Sequence, residues 1–135
     1  MQPTMIQEWM RQQLAKVEGN CHSAQGRIAA ARTMREVVQA MQISVPPELR
    51  SVIRSQPGMR ALTAAAERRL TELLEAQLEE ARKAESTEAA KGILGRRRAQ
   101  DWPYLRGTYA HIYRKADMEA RRLLHTKEKE SGNGH

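Results

Sequence analysis

Phenylalanine is absent from the chain, and aromatic residues make up 4% of its 135 positions, which leaves few bulky side chains for a strand-rich core. β-Branched and aromatic residues are the types that fill β-strands. Ala, Leu, Met, Glu, Gln and Arg, which favour helices, are abundant instead. The composition therefore predicts an all-α fold: a small bundle of four to five helices, including one long helix and a basic C-terminal helix.

Cysteine and long apolar runs are also scarce. Cys21 is the single cysteine, which excludes an internal disulfide framework and fits a reducing compartment. No apolar run approaches the roughly 18 residues that a membrane span needs, and the first residues lack the pattern of a secretory signal. We therefore expect a cytoplasmic protein that does not contact a membrane.

Sequence motifs for common catalytic and metal sites are missing. The chain contains no glycine-rich phosphate loop, zinc motif, nucleophile elbow or paired-carboxylate signature. Cys21-His22 is the nearest approach to a metal site, but adjacent side chains on a turn ligate one ion poorly and the other histidines are distant in sequence. We therefore expect a protein that is not an enzyme, with no cofactor, no metal site and no small-molecule substrate.

Capping and breaking residues divide the first 84 positions into four predicted helices. Gly19-Asn20 is expected to end the first helix, and Ser23 is placed to cap the second. Turns rich in proline separate the second, third and fourth. The predicted helices cover residues 5–18, 24–42, 48–54 and 59–84.

The remaining third is predicted to contain a hinge and a last helix. Gly92 and Gly95 would each cost about 1 kcal/mol inside a helix, which favours a hinge over Ala84 to Gln100, although the sequence leaves a continuous helix open. Asp101 is placed to cap a helix that runs to about His125. The predicted organisation is a helical core with a long acidic-ended helix at 1–90, a hinge and basic amphipathic helix packed on it at 91–127, and a disordered tail at 128–135.

Positive charge is concentrated in one part of the chain. Residues 1–90 have a net charge of +1, whereas residues 91–127 have a net charge of +7. Residues 70–90 are acidic, with a net charge of −4, and could pair with the basic part of this chain or of a neighbouring one. A concentrated basic segment attracts polyanions whatever fold carries it.

The periodicity of residues 102–125 predicts an apolar face and a basic face. Four of the five aromatic residues lie between Trp102 and Tyr113, and most of them, including Tyr109, fall in the apolar arc that is expected to pack on the core. Tyr104 lies on the opposite face and is the candidate for stacking on a base. The predicted nucleic-acid-binding residues are Arg96, Arg97, Arg98, Tyr104, His111, Arg114, Lys115, Arg121 and Arg122.

These patterns predict a non-enzymatic protein that binds nucleic acid mainly through phosphate contacts, as a small subunit or accessory factor of a nucleoprotein complex. Homo-oligomerisation is expected because large core residues are few. DNA and RNA are not distinguished by the sequence. The alternative is a protein–protein adaptor or inhibitor whose basic helix docks on an acidic protein surface.

Overall fold

The computed structural model describes residues 3–133, and within that range the chain forms six α-helices and two 3₁₀ turns, with no β-strand. The helices are α1 Pro3–Ala30, α2 Met34–Ala40, α3 Arg50–Ile53, α4 Pro57–Arg82, α5 Thr87–Gln100 and α6 Ala110–Asn133. The predicted all-α class is confirmed. The prediction of four to five helices is slightly too low.

Helix α1 continues through the break predicted at Gly19-Asn20, which is a correction. Val17, Cys21 and Ala24 lie at helical spacing across this position, and all three are buried. Burying that continuous face stabilises the helix by more than the roughly 1 kcal/mol that one glycine costs. Gly19 itself lies on the exposed side, where the missing side chain leaves no gap in the core.

The second predicted helix, residues 24–42, is divided between α1 and α2. The carbonyl of Ala31, just after α1, accepts hydrogen bonds from Nε and Nη2 of Arg69 at 2.9 and 2.6 Å. A side chain from another helix thus satisfies a carbonyl that the end of α1 leaves without a partner. The chain resumes as α2 at Met34, whose side chain is fully buried.

The two helices that follow agree with their predictions. The segment predicted at 48–54 is observed as a 3₁₀ turn, Pro47–Leu49, followed directly by α3. Helix α4 lies within about two residues of the predicted long helix. A side chain of α1 caps its first turn: the Glu18 carboxylate accepts a hydrogen bond from the Gly58 amide at 3.1 Å. An acidic group at a helix N-terminus also interacts favourably with the helix dipole.

The predicted hinge over 84–100 is instead mostly helix α5, and this is a second correction. The Ser86 hydroxyl caps the helix by accepting a hydrogen bond from the Ala89 amide at 3.1 Å. Ala90 and Leu94 are buried on one side, while Gly92 and Gly95 lie on the exposed side. Capping and burial together offset the low helix propensity of the glycines.

The last predicted helix consists of two elements. A 3₁₀ turn covers Trp102–Leu105, and α6 does not begin until Ala110. Gly107 lies between them with a φ of +83°, a conformation that glycine adopts without strain. Asp101, the predicted cap, makes no side-chain capping bond at this turn. Because of this break, Tyr104 and the residues of α6 do not belong to one continuous helix, and helical spacing does not relate the face of Tyr104 to theirs.

The tail predicted to be disordered from residue 128 is helical as far as Asn133; Gly134 and His135 lie outside the described residues. Lys127 holds this last part of α6 against the end of α4, because its Nζ donates a hydrogen bond to the Ala84 carbonyl at 2.8 Å. A lysine near the last carbonyls of a helix also complements the negative end of the helix dipole.

Two compact units make up the chain. The first comprises Met1–Ala31 with Glu36–Arg69, and the second comprises Arg32–Arg35 with Leu70–His135. The second unit contains the 3₁₀ turn at Trp102, α5, α6 and the acidic end of α4. All nine predicted binding residues therefore belong to the second unit. The division at residue 90 that the charge distribution suggested stays a prediction.

Candidate nucleic-acid interface

One side of α6 anchors the helix in its unit. Ile112, Ala116, Ala120 and Leu123 recur at intervals of three or four residues, and all four are buried. Such spacing places them on a single face of the helix, against α5 and the 3₁₀ turn at Trp102. This packing fixes which residues of α6 face outward.

The outward side of α6 carries the basic residues. Met118 lies along its centre line, together with His111 and His125, which are seven positions to either side. Two rows of cations flank that line, and none of the seven positions holds an acid. The cations are Arg114 and Arg121 in one row, and Lys115 and Arg122 in the other.

The two acids of α6 that border this face, Asp117 and Glu119, each pair with arginine. Asp117 accepts from Arg98 of α5 and from Arg121, the latter at 3.0 Å. Glu119 on the other border pairs with Arg122 at 3.4 Å. Since Arg121 and Arg122 keep 79% and 70% of their side-chain surface exposed, these pairs are weak and can rearrange when a stronger anion approaches.

The acidic end of α4 pairs with part of the basic segment, as the charge distribution indicated. Lys115 lies 3.5 Å from Glu75, and Arg97 lies 3.2 Å from Glu80. The Lys115 pair is half exposed on both sides, so its contribution to stability is small. Of the two cations, only Lys115 also belongs to the outward face of α6.

Arg97 is directed inward, into a chain of hydrogen bonds that also includes Asp101. Its Nη1 donates to the Asp101 carboxylate at 3.0 Å, and its Nη2 donates to Glu80. Partial burial alone would lower the pKa of Arg97, but these two carboxylates raise it above its usual value. Asp101 also accepts from Gln77, whose amide oxygen in turn accepts from the Trp102 indole at 2.9 Å. The structure thus gives Arg97 a positioning role.

The neighbouring arginines are more accessible. The Arg98 guanidinium pairs with Asp117 and lies 5.6 Å from the centroid of the buried Trp102 ring, a cation–π distance. Arg96 is exposed, and neither it nor Arg114 makes an ion pair within residues 3–133. Arg98 therefore extends the basic face of α6 onto α5, whereas Arg96 lies on the outer side of α5.

Tyr104 does not share the helical phase that the sequence assigned to it, which is a further correction. It is 38% exposed, but it lies on the 3₁₀ turn, before the break at Gly107. Its predicted alignment with His111, Lys115 and Arg122 requires one uninterrupted helix. The outward face of α6 therefore has no Trp, Tyr or Phe side chain of its own.

Met118 is a residue of this face that the sequence pattern did not single out, and it is 52% exposed at the centre of the basic surface. Its spacing of seven residues from both His111 and His125 is visible in the sequence, and at about 3.6 residues per turn that spacing places all three on one line. An apolar methionine is more often a core residue, so composition alone does not place it outside.

Within residues 3–133, no helix is both long enough and apolar enough to cross a bilayer. The same residues contain no group of three or more His, Cys, Asp or Glu side chains that could hold a metal ion. Comparison with family models, with curated proteins and with solved structures finds no match.

Proposed function

We propose that the protein binds nucleic acid through the outward face of α6, together with Arg98 of α5. The observation that carries the proposal is the composition of that face: four cations and two histidines with no acid among them, on a helix whose opposite side is buried. Arginine can donate two parallel hydrogen bonds to a phosphate, and lysine adds a compact charge. Such contacts would be mainly independent of base sequence.

The ion pairs along this face are compatible with the proposal. Each is partly exposed and weak in water, whereas a phosphate backbone offers a dense row of charges and releases its counterions when cations replace them. Arg98 and Arg121 both pair with Asp117, so the negative charge of this carboxylate is compensated at the edge of the face where phosphates would approach. A role as a small subunit or accessory factor of a nucleoprotein complex is part of the proposal.

The direct test is a mobility shift with single- and double-stranded DNA and RNA at a low and a moderate salt concentration. The variant Arg114→Ala/Arg121→Ala removes two cations from the face. Its matched control, Lys16→Ala/Lys83→Ala, lowers the net charge equally at two exposed positions outside the face, one on α1 and one in the turn that follows α4. We expect the first variant to bind at least about tenfold more weakly than the control.

Absence of binding to all four nucleic acids at low salt would refute the proposal, as would equal affinities for the two variants. A complex with an acidic protein that survives nuclease treatment and does not form with Arg114→Ala/Arg121→Ala would support the alternative function, an adaptor whose basic helix docks on a protein.

We also propose that the protein self-associates. Met5, Ile6 and Trp9 lie on the N-terminal part of α1, and 59%, 41% and 37% of their surfaces are exposed. Neighbouring exposed apolar side chains of this size are typical of protein contacts. Light scattering should give a mass above 15.4 kDa for the parent chain and a lower mass for Ile6→Glu. A monomer at all concentrations would contradict this proposal.

A further inference from the structure

The cations on α6 form two rows rather than one. At about 100° per residue, Arg114 and Arg121 lie to one side of the line through Met118, and Lys115 and Arg122 lie to the other. Each row runs parallel to the helix axis over about 10.5 Å, at 1.5 Å per residue. A ligand that matches them must present two lines of negative charge with an open, less charged strip between.

The centre of the face is apolar. The Met118 side chain is 52% exposed, whereas the residues on the opposite side of α6 are buried. A flexible thioether makes favourable contacts with aromatic edges and methyl groups. A strip of stacked base edges, some of which carry methyl groups, is a suitable surface for this position.

From these observations we infer that the ligand is duplex DNA, with α6 lying in the major groove. This inference rests on the nucleic-acid binding proposed above. The major groove of B-form DNA is about 12 Å wide and admits an α-helix, and a phosphate backbone borders it on each side. The two rows of cations would each contact one backbone, and Met118 would meet the base edges on the groove floor.

Duplex RNA and single strands fit the face less well. The major groove of A-form RNA is deep and too narrow for a helix to enter. Single strands are held by one basic track with aromatic side chains on which bases stack. The outward face of α6 has two tracks and no Trp, Tyr or Phe side chain, since Tyr104 lies before the break at Gly107.

Three duplexes of the same sequence test this inference by fluorescence anisotropy: unmodified DNA, DNA in which every cytosine carries a glucosylated 5-hydroxymethyl group, and RNA. The glucosyl groups fill the major groove and leave the phosphates in place. We expect both the modified DNA and the RNA to bind at least about tenfold more weakly than unmodified DNA. Equal affinity for modified and unmodified DNA would overturn the groove assignment, while the proposed function would survive.

Two variants complete the experiment. Met118→Glu places an acid at the centre of the face and should weaken binding to unmodified DNA by at least about tenfold. Ala64→Glu, an exposed position of α4 in the other compact unit, introduces the same charge on a helix and should stay within about twofold of the parent. Equal weakening by the two substitutions would overturn the inference. If none of the three duplexes binds, the inference fails, whereas the proposed function fails only if single-stranded DNA and RNA also do not bind.

Discussion

Gln77 is 7% exposed, and both ends of its side-chain amide have partners. Its oxygen accepts from Trp102, and its nitrogen donates to Asp101 at 3.1 Å. The Asp101 carboxylate also accepts a hydrogen bond from Arg97. A buried polar group costs little when it is bonded and much when it is not. This residue therefore links α4 to the segment that leads into α6, and it holds the start of the proposed interface.

Replacing Trp102 with phenylalanine tests that link. The variant would leave the amide oxygen of Gln77 buried without a donor and would create a small void. We expect the free energy of unfolding to fall by about 2–4 kcal/mol in urea titrations. Trp9→Phe is the control, because Trp9 is 37% exposed and should change stability by no more than about 0.5 kcal/mol. Equal effects in the two variants would contradict the importance of the hydrogen bond.

Cys21 is fully buried, and burial together with the nearby charge of Glu18 raises the pKa of its thiol. The folded state thus favours the neutral thiol. This contribution to stability is fully present below the pKa of the unfolded chain and disappears as the pH rises through the folded-state pKa. We expect parent stability to fall more steeply above about pH 8.5 than that of Cys21→Ala. Parallel pH profiles from urea titrations would show that the thiol is not the cause.

At the scale of whole elements, Arg69 determines how α1 ends. Its two hydrogen bonds to the Ala31 carbonyl carry a full charge on the donor. We expect Arg69→Ala to lower the free energy of unfolding by about 1.5–3 kcal/mol. Arg68→Ala removes the neighbouring, exposed arginine and should alter stability by no more than about 0.5 kcal/mol. If the two variants were equally stable, the end of α1 would have to be fixed by other contacts.

The continuity of α5 is tested by its glycines. An added Cβ at Gly92 or Gly95 would meet no atom within 4 Å. Alanine at both positions should therefore raise stability by about 1–2 kcal/mol in total, as in any exposed helix interior. At Gly107, by contrast, the φ of +83° makes alanine unfavourable, and Gly107→Ala should be destabilising. A neutral or destabilising effect of the double variant in urea titrations would support a hinge over 84–100.

The extents of these helices were partly predictable from the sequence. Apolar spacing identified α4 and the buried face of α6, because burial on one side imposes that period. The breaks were predicted less well. Glycine residues suggested breaks at residue 19 and over 84–100, yet burial of one face, together with the Ser86 cap of α5, outweighs their local cost. The break at Gly107 was missed because it depends on one positive φ.

At the scale of the molecule, charge concentration alone indicated where an anion would bind but not which cations would face it. The sequence pattern groups nine residues into one strip. The structure directs Arg97 inward, separates Tyr104 from α6, and pairs Lys115 with Glu75. Pairing of this kind depends on which helices pack together, which no local pattern reveals. The two rows on α6 follow from helical phase and are predictable once the start of the helix is known.

Salt dependence of binding to a DNA duplex distinguishes phosphate contact by α6 from a general attraction of the basic chain. For B-form DNA, the slope of log affinity against log salt concentration changes by about 0.9 for each phosphate that the protein neutralises. If the outward face of α6 contacts phosphates, the slope of Arg114→Ala/Arg121→Ala should be smaller in magnitude than that of the parent by about 1.8. Lys16→Ala/Lys83→Ala, with the same net charge, should keep the slope of the parent. Equal slopes for the two variants would contradict phosphate binding by this face.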